Sequence, residues 1–160
     1  MAEGSVITDD MRSRIGIELP PVIYEIEKEP IRRWAEAIDD PNPLYHDEEY
    51  ARKSKHGGMI APPGFIGNYA FPNKTGGDPR VKSPFTRQLN GGSAFEFLKP
   101  VRPGDVLTAT SKLADLYERE GRLGIGRMLF QVFDVIFRNQ QGETVVIVHR
   151  TSISYEGNTK

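Results

Sequence analysis

The spacing of apolar residues changes twice along the chain. Over residues 15–26 they alternate in part, with Val22, Tyr24 and Ile26 on one face. This predicts a strand, and Pro20-Pro21 confines its start to a sheet edge or a strand entry. Over residues 27–38 the period lengthens. Ile31, Trp34, Ala35 and Ile38 form an i, i+3, i+4, i+7 stripe with Pro30 in the first turn, so a helix is predicted, its single tryptophan turned to the core. A further helical run starts at Pro62-Pro63 and carries Phe65, Ile66, Tyr69 and Ala70. It is apolar on nearly every side, the signature of a buried helix.

Beyond residue 88 the period falls to two. Residues 89–98 set Phe95 and Phe97 on either side of Glu96, and residues 106–117, 128–138 and 144–155 are each rich in β-branched and aromatic side chains. Residues 118–122 read as a polar hairpin tip, and Asn139-Gln140-Gln141-Gly142 as a tight turn. Long strands joined by tight turns form an antiparallel meander. A strand, then helices, then four strands predicts an α+β layer whose sheet covers the apolar helix. Residues 1–15 are expected to be a flexible tail and 16–157 a single domain. The Gly-, Pro- and Lys-rich stretch 72–85 is expected to be a long irregular loop. Lys74, Arg80, Lys82 and Arg87, in and beside it, could meet phosphates, although scattered solubilising charge explains each of them as well.

Composition narrows the possible chemistry. With 21 basic and 22 acidic residues the net charge is −1, which does not mark a nucleic-acid or membrane-surface binder. The absence of cysteine excludes disulfides, thiolate metal sites and a cysteine nucleophile. The start of the chain has no apolar signal core and no run approaches membrane-span length, so a cytoplasmic location is the expectation. Neither a metal-ligand cluster nor a phosphate-cradling loop is visible, and no cofactor is expected.

The unusual residues are concentrated in 39–65. Pro41 and Pro43 stop the preceding helix and stiffen the loop Asp40-Pro41-Asn42-Pro43-Leu44-Tyr45-His46. A carboxylate and an imidazole held on one stiff loop can orient and activate water, because histidine titrates near neutrality. Asp-Pro and Asn-Pro are also ordinary turn formers, so a simple turn with a solvated histidine explains the loop equally well. Asp47-Glu48-Glu49 opens a short polar helix that Gly57-Gly58 ends, and Gly64 leaves backbone N–H groups open at the start of the apolar helix. His149 lies within a strand and reads as structural.

Asp40-Pro41-Asn42-Pro43 with His46, Tyr50-Ala51 and Ala61-Pro62-Pro63-Gly64-Phe65 together resemble the hydratase-2 stretch of MaoC-like enoyl-CoA hydratases and dehydratases. Leu89-Asn90-Gly91-Gly92, Phe95-Glu96-Phe97 and Pro100-Val101-Arg102-Pro103-Gly104-Asp105 extend the likeness over residues 22–155. The resemblance implies a hot-dog fold, an antiparallel sheet wrapped around a central apolar helix. It implies acid/base roles for Asp40 and His46 and an oxyanion role for the Gly64 N–H; beside them, Phe65 and Tyr69 are expected to line the acyl chain and Asn42 to bind substrate. It further implies a thioester substrate on coenzyme A or acyl carrier protein, and a homodimer or a heterodimer with a second MaoC-like chain.

This chain departs from the catalytic pattern at one point. The pattern has one residue between the second proline and the histidine, whereas here Leu44 and Tyr45 both intervene. The spacing is closer to the MaoC-like dehydratase N-terminal-half group, whose members often pair with a catalytic hot dog. Three readings follow: a hydratase or dehydratase in its own right, a non-catalytic acyl-binding subunit, and, more weakly, a thioesterase.

Overall fold

The computed structural model describes residues 4–70, 76–122 and 124–157. Its centre is a five-stranded antiparallel sheet of order β1-β3-β4-β5-β2, with β1 at Val22–Glu25, β2 at Arg87–Phe97, β3 at Val106–Gly121, β4 at Gly126–Arg138 and β5 at Thr144–Tyr155. Strands β3, β4 and β5 form the expected meander, and β2 and β1 close its two sides. The sheet curls around a short apolar helix, which is the hot-dog arrangement.

The helices are α1 at Asp9–Ser13, α2 at Lys28–Ala37 and α3 at Glu48–Lys53. α2 buries Ile31 and Ala35 and ends where Asp39 takes a positive φ of 53°, a left-handed residue at the helix terminus. α3 is capped by the Asp47 carboxylate, which accepts from Tyr50 N–H, and it carries glutamates first and Arg52 and Lys53 last. The principal core joins Ile31 of α2, and Phe65 and Ile66, to Leu107, Phe137 and Val148 of the sheet.

The structure revises several sequence-based boundaries. The expected strand over 15–26 shrinks to the four residues of β1. Prolines 20 and 21 cannot donate to the ladder, and Ile15 and Glu18 make only isolated bridges to β3. The run after Pro62 is a 3-10 helix over Pro63–Asn68; Gly64 and Gly67 lower its α propensity, and residues 71–75 lie outside the described residues. Residues 118–121 are not a hairpin tip. β3 continues through them and pairs with β4 as far as Gly121 opposite Gly126.

Residues 4–15 pack against the far end of the sheet. Glu118 Oε1 accepts from Ser5 Oγ at 2.6 Å, Val6 N–H at 2.8 Å and Ile7 N–H at 3.1 Å. Ile7 and Phe85 enter a second core cluster with Leu113, Leu129 and Phe133. The loop before β2 is held by the buried Gln131, whose amide both accepts from Val81 N–H and donates to Val81 C=O. Lys74 lies outside the described residues, and Arg80 is engaged by the Asp78 carboxylate at 2.6 Å.

Candidate active site

After α2 ends, the Asp40 N–H returns to the Ala35 carbonyl at 2.9 Å and the chain enters a compact polar turn. Asp40 Oδ1 accepts from Asn42 N–H at 3.0 Å, and Asn42 Oδ1 accepts from Leu44 N–H at 3.1 Å. Asn42 thereby caps a one-turn 3-10 helix, Pro43–Tyr45. With three residues per turn, positions i and i+3 of such a helix eclipse, so Tyr45 lies under Asn42 and turns inward. Its side chain is buried, at 7% exposure.

Tyr45, rather than His46, is therefore the side chain directed to the interior beside Asp40. Burial raises the phenol's pKa above its usual value, the Asp40 charge raises it further, and a hydrogen bond with the Asn42 side chain opposes both. The phenol stays protonated at neutral pH and is a hydrogen-bond donor there. His46 is half-buried, and its Nε2 lies 2.8 Å from the backbone carbonyl of Asp40. A carbonyl can only accept, so Nε2 carries the proton and the ring braces the turn.

Tyr45 opens onto a cleft of about 270 Å³ that it shares with Pro62, Pro63, Ile66, Phe97 and Val101. Most of the lining is apolar, and Tyr45 and Lys99 are its polar side chains, which is the usual balance of a small-molecule site. A larger open groove of about 880 Å³, lined by Glu27, Glu48, Arg52 and Arg102 among others, is charged and holds none of the candidate residues.

The other expected site residues gather elsewhere. Phe65 is 2% exposed, with its ring 6.4 Å from Trp34 and 5.6 Å from Tyr69, so it packs the core. Tyr69 packs against Tyr24 at 4.8 Å, and burial followed by the nearby Glu27 charge raises its pKa. Gly64 sits at the start of the 3-10 helix against Trp34; a Cβ there would lie 3.3 Å from the indole Cζ2. Since Pro62 and Pro63 lack N–H groups, Gly64 carries the first donor of that helix end. The turn thus brings together Asp40, Asn42, Tyr45 and His46, while Phe65 and Tyr69 join an aromatic cluster with Trp34 and Tyr24. Sequence reasoning missed Tyr45, although a capping Asn42 followed by Pro43 and a three-residue count would have indicated it.

The curled five-stranded antiparallel sheet around a short apolar helix is the hot-dog fold. The chain belongs to the family described as FAS1-like, dehydratase domain region, whose model matches residues 13–148. It is 37% identical over 115 residues to a UPF0336 protein of Streptomyces avermitilis, covering 69% of this chain and 75% of that one. Among solved structures it is similar to a MaoC-like dehydratase from Rhodospirillum rubrum, at 21% identity and TM-score 0.69 over 91% of this chain and 94% of that one. It is also similar to a C-terminally truncated HadBC (3R-hydroxyacyl-ACP dehydratase) complex from Mycobacterium tuberculosis, at 23% identity and TM-score 0.70 over 88% and 97% of the two chains. Among the described residues no helix is long and apolar enough to cross a membrane.

Proposed function

We propose that the chain is one subunit of a hydratase or dehydratase acting on enoyl or 3-hydroxyacyl thioesters of coenzyme A or acyl carrier protein. In this reading it supplies an acyl-binding half, and a second MaoC-like chain carries the acid/base pair. The observation behind it is the exchange of places in the turn: a neutral phenol occupies the buried position beside Asp40, and the imidazole is spent on a backbone carbonyl. A phenol held protonated cannot act as a general base at neutral pH.

Tyr45 lines the cleft, Asp40 and Asn42 belong to the same turn, and the Gly64 N–H, next to the cleft residue Pro63, offers a donor to a thioester oxygen. Ile66 and Phe97 form the apolar wall for the acyl group, with the Phe65–Tyr69 cluster backing the helix behind it. The expected partner is supported by the edge of the sheet. All eleven residues of β2 are exposed, and β2 pairs only with β5 among the described strands. Leu89, Phe95 and Phe97 of β2, with Leu98 just beyond it, are exposed large hydrophobics. An open, apolar strand edge invites pairing with another chain.

The test is loss of conjugated enoyl-thioester absorbance with crotonyl and longer enoyl-CoA substrates, with product masses determined. The purified chain alone is expected to bind acyl-CoA saturably without turnover, and to support hydration once a catalytic MaoC-like chain is added. Hydration by the chain alone, abolished by Asp40→Asn or His46→Ala, would overturn the subunit reading in favour of a self-sufficient hydratase. A hydrolysed thioester would move the protein to the thioesterases.

A further inference from the structure

The inner face of β2 forms one wall of an open trough. The strand register sets Phe97 opposite Val146, Phe95 opposite Val148 and Ser93 opposite Arg150 of β5. Val146 and Val148 are fully buried in the principal core, so Phe97, Phe95 and Ser93 share the face turned to the 3-10 helix. All three are nevertheless exposed. The helix passes them in order. Pro63 and Ile66 border the Tyr45 cleft together with Phe97. Gly67 comes next, where a Cβ would lie 3.8 Å from Phe95 Cζ, and its missing side chain leaves room at the middle of the trough. Beyond the helix end, the Ala70 carbonyl accepts from Arg150 Nη1 at 3.3 Å.

The trough thus continues the cleft along β2, and its lining changes on the way. The Phe97 and Phe95 rings are stacked, 5.9 Å apart and 6° from parallel, and give it an apolar side. On β5 the inward row Val146, Val148 is then succeeded by Arg150, level with the small Ser93 on β2 and with the buried Phe133 on β4. Arg150 is half-buried, and desolvation lowers the pKa of its guanidinium, the mark of a cation drawn out of water. A guanidinium carries five N–H donors in a planar fork, so it can hold the Ala70 carbonyl and a carboxylate together.

We propose that this trough takes the distal part of the acyl chain and that Arg150 binds a carboxylate at its far end, so that the preferred thioester is an ω-carboxyacyl one. The inference rests on the acyl-binding reading above and adds to it a chain length and an end group. The four residues from Phe97 to Ser93 span about 13 Å of strand, which an extended hydrocarbon covers with about ten carbons at ~1.25 Å each. A carboxylate at that point meets the guanidinium through two parallel hydrogen bonds, whereas a methyl end leaves the cation facing hydrocarbon. Pairing through the β2 edge engages backbone groups and leaves this inner face to the ligand.

Calorimetric titration of the full chain with decanoyl-CoA, and with the same chain ending in a carboxylate, sebacoyl-CoA, tests the end group. The wild type is expected to bind sebacoyl-CoA roughly tenfold or more tighter, the range of a charge-assisted hydrogen bond. Arg150→Met should abolish or reverse that preference, and Arg150→Lys should keep part of it. Ser93→Phe, at an exposed position of the edge strand, fills the far end of the trough. It should weaken both ten-carbon ligands relative to crotonyl-CoA, which is too short to reach residue 93. Circular dichroism melts establish that each variant is folded.

A wild type that binds the two ten-carbon chains equally overturns the proposal, and so does a folded Arg150→Met chain that keeps the preference. Should Arg150→Met fail to fold, Ser93→Phe decides, and an unchanged affinity ratio between ten-carbon ligands and crotonyl-CoA overturns the proposal. The functional reading fails separately. A wild type that binds none of the acyl-CoA probes overturns that reading and the proposal with it. Binding of decanoyl-CoA that weakens in Tyr45→Phe but is indifferent to the end group and to residue 150 overturns the proposal alone.

Discussion

The Nε2 atom of His46 donates to the backbone carbonyl of Asp40 across 2.8 Å, so the imidazole is joined to the residue expected to be its catalytic partner through the main chain. Its consequence is mechanical. His46→Ala removes the donor from a partly buried carbonyl and is expected to cost about 1 kcal/mol of stability in urea unfolding. Activity of a reconstituted complex should change little, and His46→Gln, which restores an N–H donor, should recover part of the stability. A large loss of turnover at unchanged stability would instead assign acid/base chemistry to this ring.

Tyr45 gives the complementary prediction. Its side chain lines the cleft, and burial first and the Asp40 charge second raise the phenol's pKa, so it stays protonated. Tyr45→Phe keeps the ring and its packing but removes the donor. Acyl-CoA affinity should fall roughly fivefold to tenfold, about 1 kcal/mol, with little change in melting temperature. Tyr45→His places an imidazole in the buried position beside Asp40, and the chain alone should then show slow hydration of crotonyl-CoA. If Tyr45→Phe binds acyl-CoA as tightly as the wild type, the cleft is not the acyl site.

The sheet was largely legible from sequence because its signal is redundant. Each long strand alternates over many residues, and β4 and β5 match the expected boundaries within two residues. The surroundings of the turn residues depend on one-residue choices that the sequence pattern leaves open. Whether Tyr45 or His46 faces inward is decided by a single 3-10 turn, a tighter period than the helix and strand templates test for. The reach of β3 to Gly121 likewise depends on a long-range partner, since Glu118 is polar and looks like a turn residue until residues 5–7 are seen to bind it. Phe65 is expected from sequence to line the acyl chain, and its packing against Trp34 and Tyr69 becomes visible only in the fold.

Glu118 also gives a prediction in pH. Its carboxylate is held below the ordinary value of 4.5 chiefly by the Ser5 hydroxyl; burial is the next largest effect and opposes it, and the Ile7 and Val6 N–H groups and the Arg127 charge lower it further. The folded state favours the ionised form, so the stabilisation is complete above the ordinary value and is lost as pH falls through the lower folded one. Glu118→Gln should cost about 1 kcal/mol at pH 7, a modest figure because the group is partly solvated. The gap between wild type and variant in urea midpoint should narrow below pH 4.5. A gap that is constant with pH would mean that the carboxylate's charge plays no part in holding residues 5–7.

Gly64 tests how closely α2 and the 3-10 helix are fitted. A methyl group at this position would lie 3.3 Å from Trp34 Cζ2, tighter than ordinary contact, so the indole must shift by a few tenths of an ångström. Trp34 rests edge-on against Phe65, which is itself fully buried, so the displacement has little room to relax. Gly64→Ala is therefore expected to lower stability by about 1 kcal/mol, at the small end of overpacking penalties because one methyl is added at an exposed backbone. As the only tryptophan, Trp34 reports the change directly. Its fluorescence spectrum should differ between wild type and variant in the folded state and coincide in urea. A Gly64→Ala chain with wild-type stability and an identical folded spectrum would show that the indole yields freely and that contact with Trp34 does not require glycine at this helix start.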